Sequence, residues 1–554
     1  MKTIRFSIII ALFSVIVCGC SKKSATYPHL VAVPKNAAIV LSFNAKQIVD
    51  KAGLNNMEQY KFNSLIQKEI ETAPVQQAKI FKDFLKDTRT SGLDLNNIFF
   101  YVLNSEVTEY DAPTFGITFK IDNLKTFENF LVKIDLLYDD TEKKIHLPNG
   151  MTLQWNDEIA AISNADETDI DVFNKDESKS ILANELFKSD YSEKNDMYFY
   201  AEYNFLIKIM EAMSYYTDYY GADQASLAGL DLYRDMSISI SLNAEKGEFV
   251  AAGRLLPVDK ATEIFGKFYK TDFKDDLYKY FPDKSLTALK FAIKPLDIYN
   301  HYKKIIGIGQ TEEPTETATE EVEILDEDGN VIEKEEVVID KYSGYASSTN
   351  LALKMMVEQY DSKITPVLEI FTGDFIGNLW GLTNLGSLDF AVAAGIVEGK
   401  ENDVTALIEQ LGFVKNSDGY YSKNIYNFNL YFAVNKNAAY LAGNPEAIAN
   451  FLKNGYSSDI TSAKDFGKEI KDAQHYFYLN LNINDYPPML KVALGMSSEG
   501  KMVMPLLEKL KSLNGSATNS NGFELKLKFT DNDYASKVLL KGIDELVSKN
   551  LGLE

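Results

Sequence analysis

Apolar and polar residues alternate along this chain in short runs, and each run gives way to a stretch with helical spacing. Ile39, Leu41 and Phe43 alternate as the buried face of a strand, and Asn44 is placed to cap a helix over Ala45 to Ala52. A polar, helix-compatible stretch follows from Met57 to Lys86. Gly92-Leu93-Asp94-Leu95-Asn96-Asn97 reads as a turn, and Ile98 to Leu103 as a strand. A second strand, Phe115 to Ile121, ends at Asp122-Asn123, after which Phe127, Phe130 and Leu131 recur at helical spacing. The unit is strand, helix, turn, strands, capped helix.

The unit returns three times. Met197 to Asn204 opens the second copy, Phe205 to Met213 reads as helix, and Gly229-Leu230-Asp231-Leu232 repeats Gly92-Leu93-Asp94-Leu95. Strands over Met236 to Leu242 and Phe249 to Leu256 lead to Asp259, which can cap a helix carrying Ile264, Phe265 and Phe268. A third copy begins at Leu289 and ends with Ala391 to Val397 and Val404, Leu407, Ile408 and Leu411. The fourth begins at Tyr476 and ends with Phe523 to Phe529 and Val538, Leu539 and Ile543. Extra strands over Leu153 to Ile162 and Phe432 to Leu441 match at an offset of 279, Asn156 meeting Asn435 and Ala160 meeting Ala439. Phe43 meets Phe291 at 248, and Tyr198-Phe199-Tyr200 meets Tyr476-Phe477-Tyr478 at 278. The expected fold is therefore α+β: repeated modules of antiparallel strands with helices on one face, arranged as two similar tandem halves, 34–275 and 276–554.

The growth in offset requires some thirty extra residues in the second half. Thr311 to Asp340 supplies them and carries thirteen acids and one lysine. Its first ten residues are too acidic to pack. Val322 to Leu325 and Val331 to Glu333, around Asp328-Gly329, read as a protruding β-hairpin. Asp326-Glu327-Asp328-Gly329-Asn330 does not match a calcium loop, because its glycine comes too early and the final acid is missing.

The N-terminus is of a different kind. Lys2 and Arg5 precede an almost wholly apolar run from Phe6 to Val17, which is too short to span a membrane, and Val17-Cys18-Gly19-Cys20 follows. This ending resembles a bacterial lipobox. The resemblance implies that residues 1–19 are removed, that Cys20 is acylated, and that residues 20–33 form a tether. The mature chain of 535 residues is long enough for sizeable cores, with 45% apolar residues, 33 Phe and 32 Tyr. A formal charge of −23 argues against nucleic acid and anionic headgroups as partners. Both cysteines lie in the lipobox, so the body has no thiol and no disulfide. The lipid is the expected membrane attachment.

Taken together, the lipobox, the opening Pro34-Lys35-Asn36-Ala37-Ala38 and strand, and the Gly-Leu-Asp-Leu segments resemble the uncharacterised Bacteroidetes lipoproteins grouped as domain of unknown function 4836. That family implies no activity. Surface export in Bacteroidetes lipoproteins goes with acids just after the lipidated cysteine. Ser21-Lys22-Lys23-Ser24 here implies the periplasmic face of the outer membrane.

Sites of chemistry are sparse. His29, His146, His301 and His475 have no metal-ligand spacing, and no nucleophile elbow, P-loop or dinucleotide fingerprint occurs. No catalytic residue, metal or cofactor is expected. Tyr215, Tyr216, Tyr219 and Tyr220 offer flat apolar rings with hydroxyls, suited to a partner contact or to packing. Trp155 and Trp380 lie in apolar runs and are expected in the core. Two functions remain open: a non-enzymatic binding or scaffold protein of the envelope, holding a protein or polymer partner, and a glycan-directed hydrolase using unidentified carboxylates.

Overall fold

The structure, a computed structural model, describes residues 28–551 except 73–78, 105–112, 165–175, 210–231, 306–317, 326–330, 340–347 and a few shorter breaks. The lipidation site Cys20 and the tyrosines at 215, 216, 219 and 220 lie outside the described residues, as does most of the second Gly-Leu-Asp-Leu segment.

The protein is mixed α and β, with strands dominating. Strands β1 (Ala37–Phe43), β2 (Leu93–Leu103), β3 (Phe115–Ile121), β4 (Lys144–His146), β5 (Thr152–Trp155), β6 (Ile159–Ser163), β7 (Met197–Glu202), β8 (Ser237–Glu245) and β9 (Glu248–Leu256) come first. After β10 (Thr287–Ala292) comes a separate antiparallel hairpin, β11 (Ala318–Leu325) and β12 (Val331–Ile339), which pairs only with itself among the described residues. This is the expected acidic hairpin. Then follow β13 (Phe371–Asn384), β14 (Ser387–Ile396), β15 (Val414–Lys415), β16 (Tyr421–Ile425), β17 (Phe428–Val434), β18 (Ala438–Ala442), β19 (His475–Asn480), β20 (Leu510–Asn519) and β21 (Gly522–Phe529).

Nineteen strands join in one antiparallel sheet. Across it the order is β4-β5-β6-β3-β2-β1-β7-β8-β9, then across the β9–β21 seam β21-β20-β19-β10-β13-β14-β18-β17-β16-β15. Residues at the sequence offsets occupy matching ladder positions. Leu41 stands opposite Phe199, and Leu289 opposite Phe477. Ile117 stands opposite Ile162, and Val392 opposite Leu441. The Asn156 carboxamide accepts from the amides of Glu158 and Ile159 at 2.8 Å. Asn435 accepts likewise from Asn437 at 2.9 Å and Ala438 at 3.0 Å.

Helices join the strands: α1 (Ala45–Ala52), α2 (Asn63–Thr72), α3 (Leu124–Lys133), α4 (Glu185–Asp190), α5 (Val258–Phe268), α6 (Pro295–Ile305), α7 (Ser348–Leu368), α8 (Glu401–Gln410), α9 (Pro445–Leu452), α10 (Gly467–Asp472), α11 (Pro488–Met496), α12 (Ser498–Leu507) and α13 (Ala535–Leu551). Asn44 caps α1 through the Gln47 amide at 3.0 Å, as its position predicts. Pro257, not Asp259, occupies the cap position of α5, and Asp259 sits in the first turn, where its charge complements the helix dipole. Gly92-Leu93-Asp94-Leu95-Asn96-Asn97 is not a turn: only Gly92 is, in the left-handed region at φ 73°, and β2 begins at Leu93. The Gly92 carbonyl accepts from the amides of Asp122 and Asn123 at 2.9 and 3.0 Å, and a β-carbon added at Gly92 would collide with the Phe127 amide nitrogen and the Asn123 carbonyl, so a side chain has no room.

Helices lie on both faces of the sheet, correcting the expectation of one. Phe187 of α4 packs on Val40, Phe99, Tyr198 and Tyr200, and Ile448 and Phe451 of α9 with Ile470 of α10 pack on Ala288, Tyr440, Tyr476 and Tyr478. On the opposite face, Phe127 and Leu131 of α3 pack on Phe119 and Ile117, Ile264 of α5 on Leu255, Val404 of α8 on Leu441, and Val538 of α13 on Phe249 and Leu527. Residues 29–33, expected in the tether, belong to the fold instead: His29, Leu30, Ala32 and Val33 are buried. Trp155 is buried and Trp380 partly so, both in core clusters.

Candidate functional site

The first strand carries the decisive observation. Period-two reading assigns Ile39, Leu41 and Phe43 to the core, yet the fully covered residues are Val40 and Ser42 between them. The same inversion repeats across the sheet. The covered face carries Ser42, Tyr198, Tyr200, Ser237, Ser239, Lys290, Tyr476, Tyr478, Ser512 and Asn514. Several of its polar groups are satisfied by short helices. Asp190 of α4 accepts from the Tyr198 hydroxyl and Arg254 at 3.1 Å each. Glu469 of α10 accepts from Tyr476 at 3.0 Å, Asn514 at 2.6 Å and Lys528 at 2.8 Å. Burial raises the Glu469 carboxyl, but the bonds from Lys528 and Asn514 outweigh it and hold the pKa below its ordinary value.

The other face is apolar and, in its middle, open. Tracing the ladder from β1 to β14 places Leu41, Phe199, Ile240, Gly253, Phe523, Leu525, Gly515, Phe477, Leu289, Gly377 and Val392 on one side. The helices α3, α5, α8 and α13 cover this face only where their clusters reach. Between them Leu289 is 40% exposed, Phe291 42%, Val392 42% and Phe523 41%. Isolated exposed apolar residues are ordinary, but four on one face of one sheet are not, and such patches mark binding surfaces. The floor also has relief. The Phe523 ring lies over Gly253 and the Phe477 ring over Gly515, whereas a β-carbon added at Gly377, between Leu289 and Val392, would meet nothing closer than Val392 Cγ2 at 3.8 Å. Apart from this face, helices α7, α11 and α12 carry exposed Met355, Met356, Met489, Met496 and Met502, adaptable thioether surface.

A second cleft, of about 390 Å³, is lined by Thr262, Thr271, Asp272, Asp275, Lys290 and Asp472 among others. Burial pushes the Lys290 ammonium down to about 8, with the charges of Asp275, Asp374 and Asp472 opposing. A perturbed lysine in a cleft is a candidate site. Here, however, the ammonium is taken up by the Tyr278 hydroxyl at 2.5 Å and the carbonyls of Ile470 at 3.0 Å and Ala473 at 2.5 Å, and it lies 4.6 Å from the Phe273 ring centre. Those carbonyls end α10, so Lys290 closes a helix C-terminus.

The four histidines are not brought together. His29 is in the core, His146 on β4, His301 against Phe268 of α5 at 4.8 Å between ring centres, and His475 against Tyr269 at 4.6 Å. Among the described residues no three His, Cys, Asp or Glu side chains are grouped to hold a metal, and no helix is long and apolar enough to cross a membrane. The Glu202 carboxyl is raised by burial, with Asn104 and Lys208 drawing it back. Sequence reading missed the open face because each strand contributes only two or three residues to it.

Comparison with known proteins decides the family. The model described as domain of unknown function DUF4836 matches residues 30–355, more than half of the chain. The chain belongs to the DUF4836 family. The matched region of this DUF4836 protein begins at buried Leu30 and takes in β1 through β12. No curated protein matches it. Among solved structures, crystal forms IV and III of TP0453 match at 12% and 11% identity, covering 41% and 45% of this chain and 81% and 88% of those chains. Their TM-score of 0.22 is too low to indicate a shared fold.

Proposed function

We propose that the protein is a non-enzymatic binding protein of the bacterial envelope, lipid-anchored through Cys20 at the outer membrane on its periplasmic side, with the open apolar face as its binding surface. The observation that carries this is the inversion of the sheet, with polar residues under helices and a continuous apolar tract facing outward. The lipobox resemblance supports the anchor, and the tether between Cys20 and Pro28 would hold the fold near the bilayer. Tyr215, Tyr216, Tyr219 and Tyr220 remain proposed contact residues. The hydrolase alternative draws no support from the Lys290 cleft, whose cation is already engaged.

The chain is further proposed to be a tandem duplication, with halves near 34–275 and 276–554. The ladder supports this. From Tyr198 the register runs to Ser241 and then Ala252; from Tyr476 it runs to Ser516 and then Glu524. Ala252 and Glu524 then face one another across the seam, as a local two-fold axis there requires. Each half also carries an acid–tyrosine–cation group, Asp190 with Tyr198 and Arg254, and Glu469 with Tyr476 and Lys528. Helix α13 packs back on the first half: Asp544 accepts from the amides of Lys61 and Phe62 at 3.0 and 2.8 Å, and Leu540 joins the Val49, Ala52 and Tyr60 cluster.

The binding surface is tested with 1-anilinonaphthalene-8-sulfonate, which brightens on exposed apolar surface. The native protein is expected to bind it, and Leu289→Asp with Val392→Asp to lose that binding at an unchanged thermal midpoint. An absence of native-state binding would remove the reading.

A further inference from the structure

We infer that the open face takes one long fatty acyl chain, laid across the strands from β21 to β14 and settling over Gly377. This rests on the reading of that face as the binding surface and adds the class of ligand.

Hydrogen bonding narrows the choice first. Strands β20, β19, β10 and β13 are each paired on both sides, so their main-chain donors and acceptors are committed to the ladder. Along the tract the outward side chains Leu289, Phe291, Val392, Phe477 and Phe523 are hydrocarbon, and the polar ring beside them, His475, 6.3 Å from Phe291 between ring centres, is packed against Tyr269. A peptide or glycan laid there would bury its own polar groups without partners, and no strand edge is available for it to extend. Hydrocarbon makes no such demand.

Charge narrows it again. The chain carries −23, so a second copy brought face to face would be repelled, as would an anionic membrane surface. An acyl chain is neutral along its length and escapes both penalties.

The dimensions also agree. From β21 to β14 there are five inter-strand steps, which at about 4.8 Å each make a tract of roughly 24 Å. That is long enough for an extended chain of sixteen to eighteen carbons. The exposed residues mark its course: Phe523 at one end, Leu289 and Phe291 in the middle, and Val392 at the other. Gly377 lies directly between Leu289 and Val392 in the ladder and leaves a dip where neighbouring glycines are roofed by rings. Its φ is not in the left-handed region, so a larger side chain can be placed there without backbone strain.

The test uses the purified protein and an intrinsically fluorescent eighteen-carbon polyene fatty acid, displaced by saturated fatty acids of ten to eighteen carbons. One saturable site is expected, with competitor affinity rising about four-fold per added methylene, the factor that burying a CH₂ gives. Gly377→Leu, which fills the dip, and Val392→Asp, which charges it, should each weaken binding ten-fold or more. Val414→Asp, at the exposed β15 end of the sheet, should leave it unchanged. Thermal midpoints identify any variant that has failed to fold, and Leu289→Asp then replaces it. No saturable binding, no chain-length dependence, or equal binding by wild type and both variants would overturn the inference. If acyl binding is absent but the naphthalene probe still binds the native face and is lost with Val392→Asp, the ligand class is wrong and the binding surface stands. If both are absent, both fail.

Discussion

Acid should destabilise the protein through His29, and the size of the effect follows from the structure. The ring is wholly buried beside Phe99, 5.1 Å between centres, with Nε2 against the Asn97 carbonyl at 2.5 Å. Burial lowers its pKa from 6.5 to about 4, the Asn97 bond and Asp94 opposing only in part. The unfolded chain takes up a proton below pH 6.5 while the folded one stays neutral until about 4. This contribution is therefore fully present above pH 6.5 and lost as pH falls toward 4, at up to about 1.4 kcal/mol per unit. The loss comes to about 2 kcal/mol at pH 5 and about 3 kcal/mol at pH 4. The assay is urea unfolding of wild type and His29→Phe at several pH values from 7.5 to 4.5. Whatever the substitution costs at neutral pH, it removes this slope, so the variant should lose about 2 kcal/mol less than wild type between pH 7.5 and 5. Parallel losses in the two proteins would refute the burial of a neutral His29.

Three further outcomes are expected. Asp196→Ala leaves the buried Lys51 ammonium, bonded to it at 2.8 Å, with only Glu245 at 3.7 Å as an acidic partner, and frees the Ala244 amide, so chemical denaturation should show a loss of about 3 kcal/mol; Asp196→Leu with Lys51→Met should lose much less. Excising residues 311–340 and closing the gap with a short Gly-Ser turn should leave the thermal midpoint nearly unchanged, because the β11–β12 hairpin pairs only with itself among the described residues. Cys20→Ala should move the protein from the membrane to the soluble fraction. Retention in membranes would remove the lipid anchor, which needs several acyl chains to hold firmly.

Much of the secondary structure was legible because period and turn chemistry are local. Asn44 caps its helix as read, Asn123, where the second strand was read to end, caps α3 through the Thr126 amide at 2.9 Å, and the Tyr-Phe-Tyr triplets at 198–200 and 476–478 lie in β7 and β19. What could not be read was which face of a strand is inside. Alternation of Ile39, Leu41 and Phe43 with Val40 and Ser42 fixes two faces but names neither as the core. Assigning the more apolar face to the interior assumes that the other meets water. Here α4, α9 and α10 cover the polar face, and Asp190, Glu469 and the carbonyls that hold Lys290 satisfy part of it. These partners lie far away in sequence, and no local pattern announces them. His29 was assigned to the tether for a related reason: a polar residue so near the N-terminus gives no sign that Asn97, 68 residues on, will receive it in the core. The open face was invisible for the same cause, being assembled from β1, β7, β10, β14 and β21 only once the ladder is known.

The orientation of the sheet is the claim on which the functional reading depends, and thiol labelling tests it most directly. The chain's two cysteines are Cys18 and Cys20, so single cysteines can be placed in a body that otherwise has none. Adjacent positions then report opposite faces. Leu289→Cys and Val392→Cys, from exposed sites, should react with a small thiol reagent in the native protein at rates approaching those in urea, and a bound apolar ligand should slow them. Ala288→Cys and Ala391→Cys, from sites with no exposure, should react orders of magnitude more slowly with or without ligand. Fast labelling at 288 and 391 with protection at 289 and 392 would contradict the account.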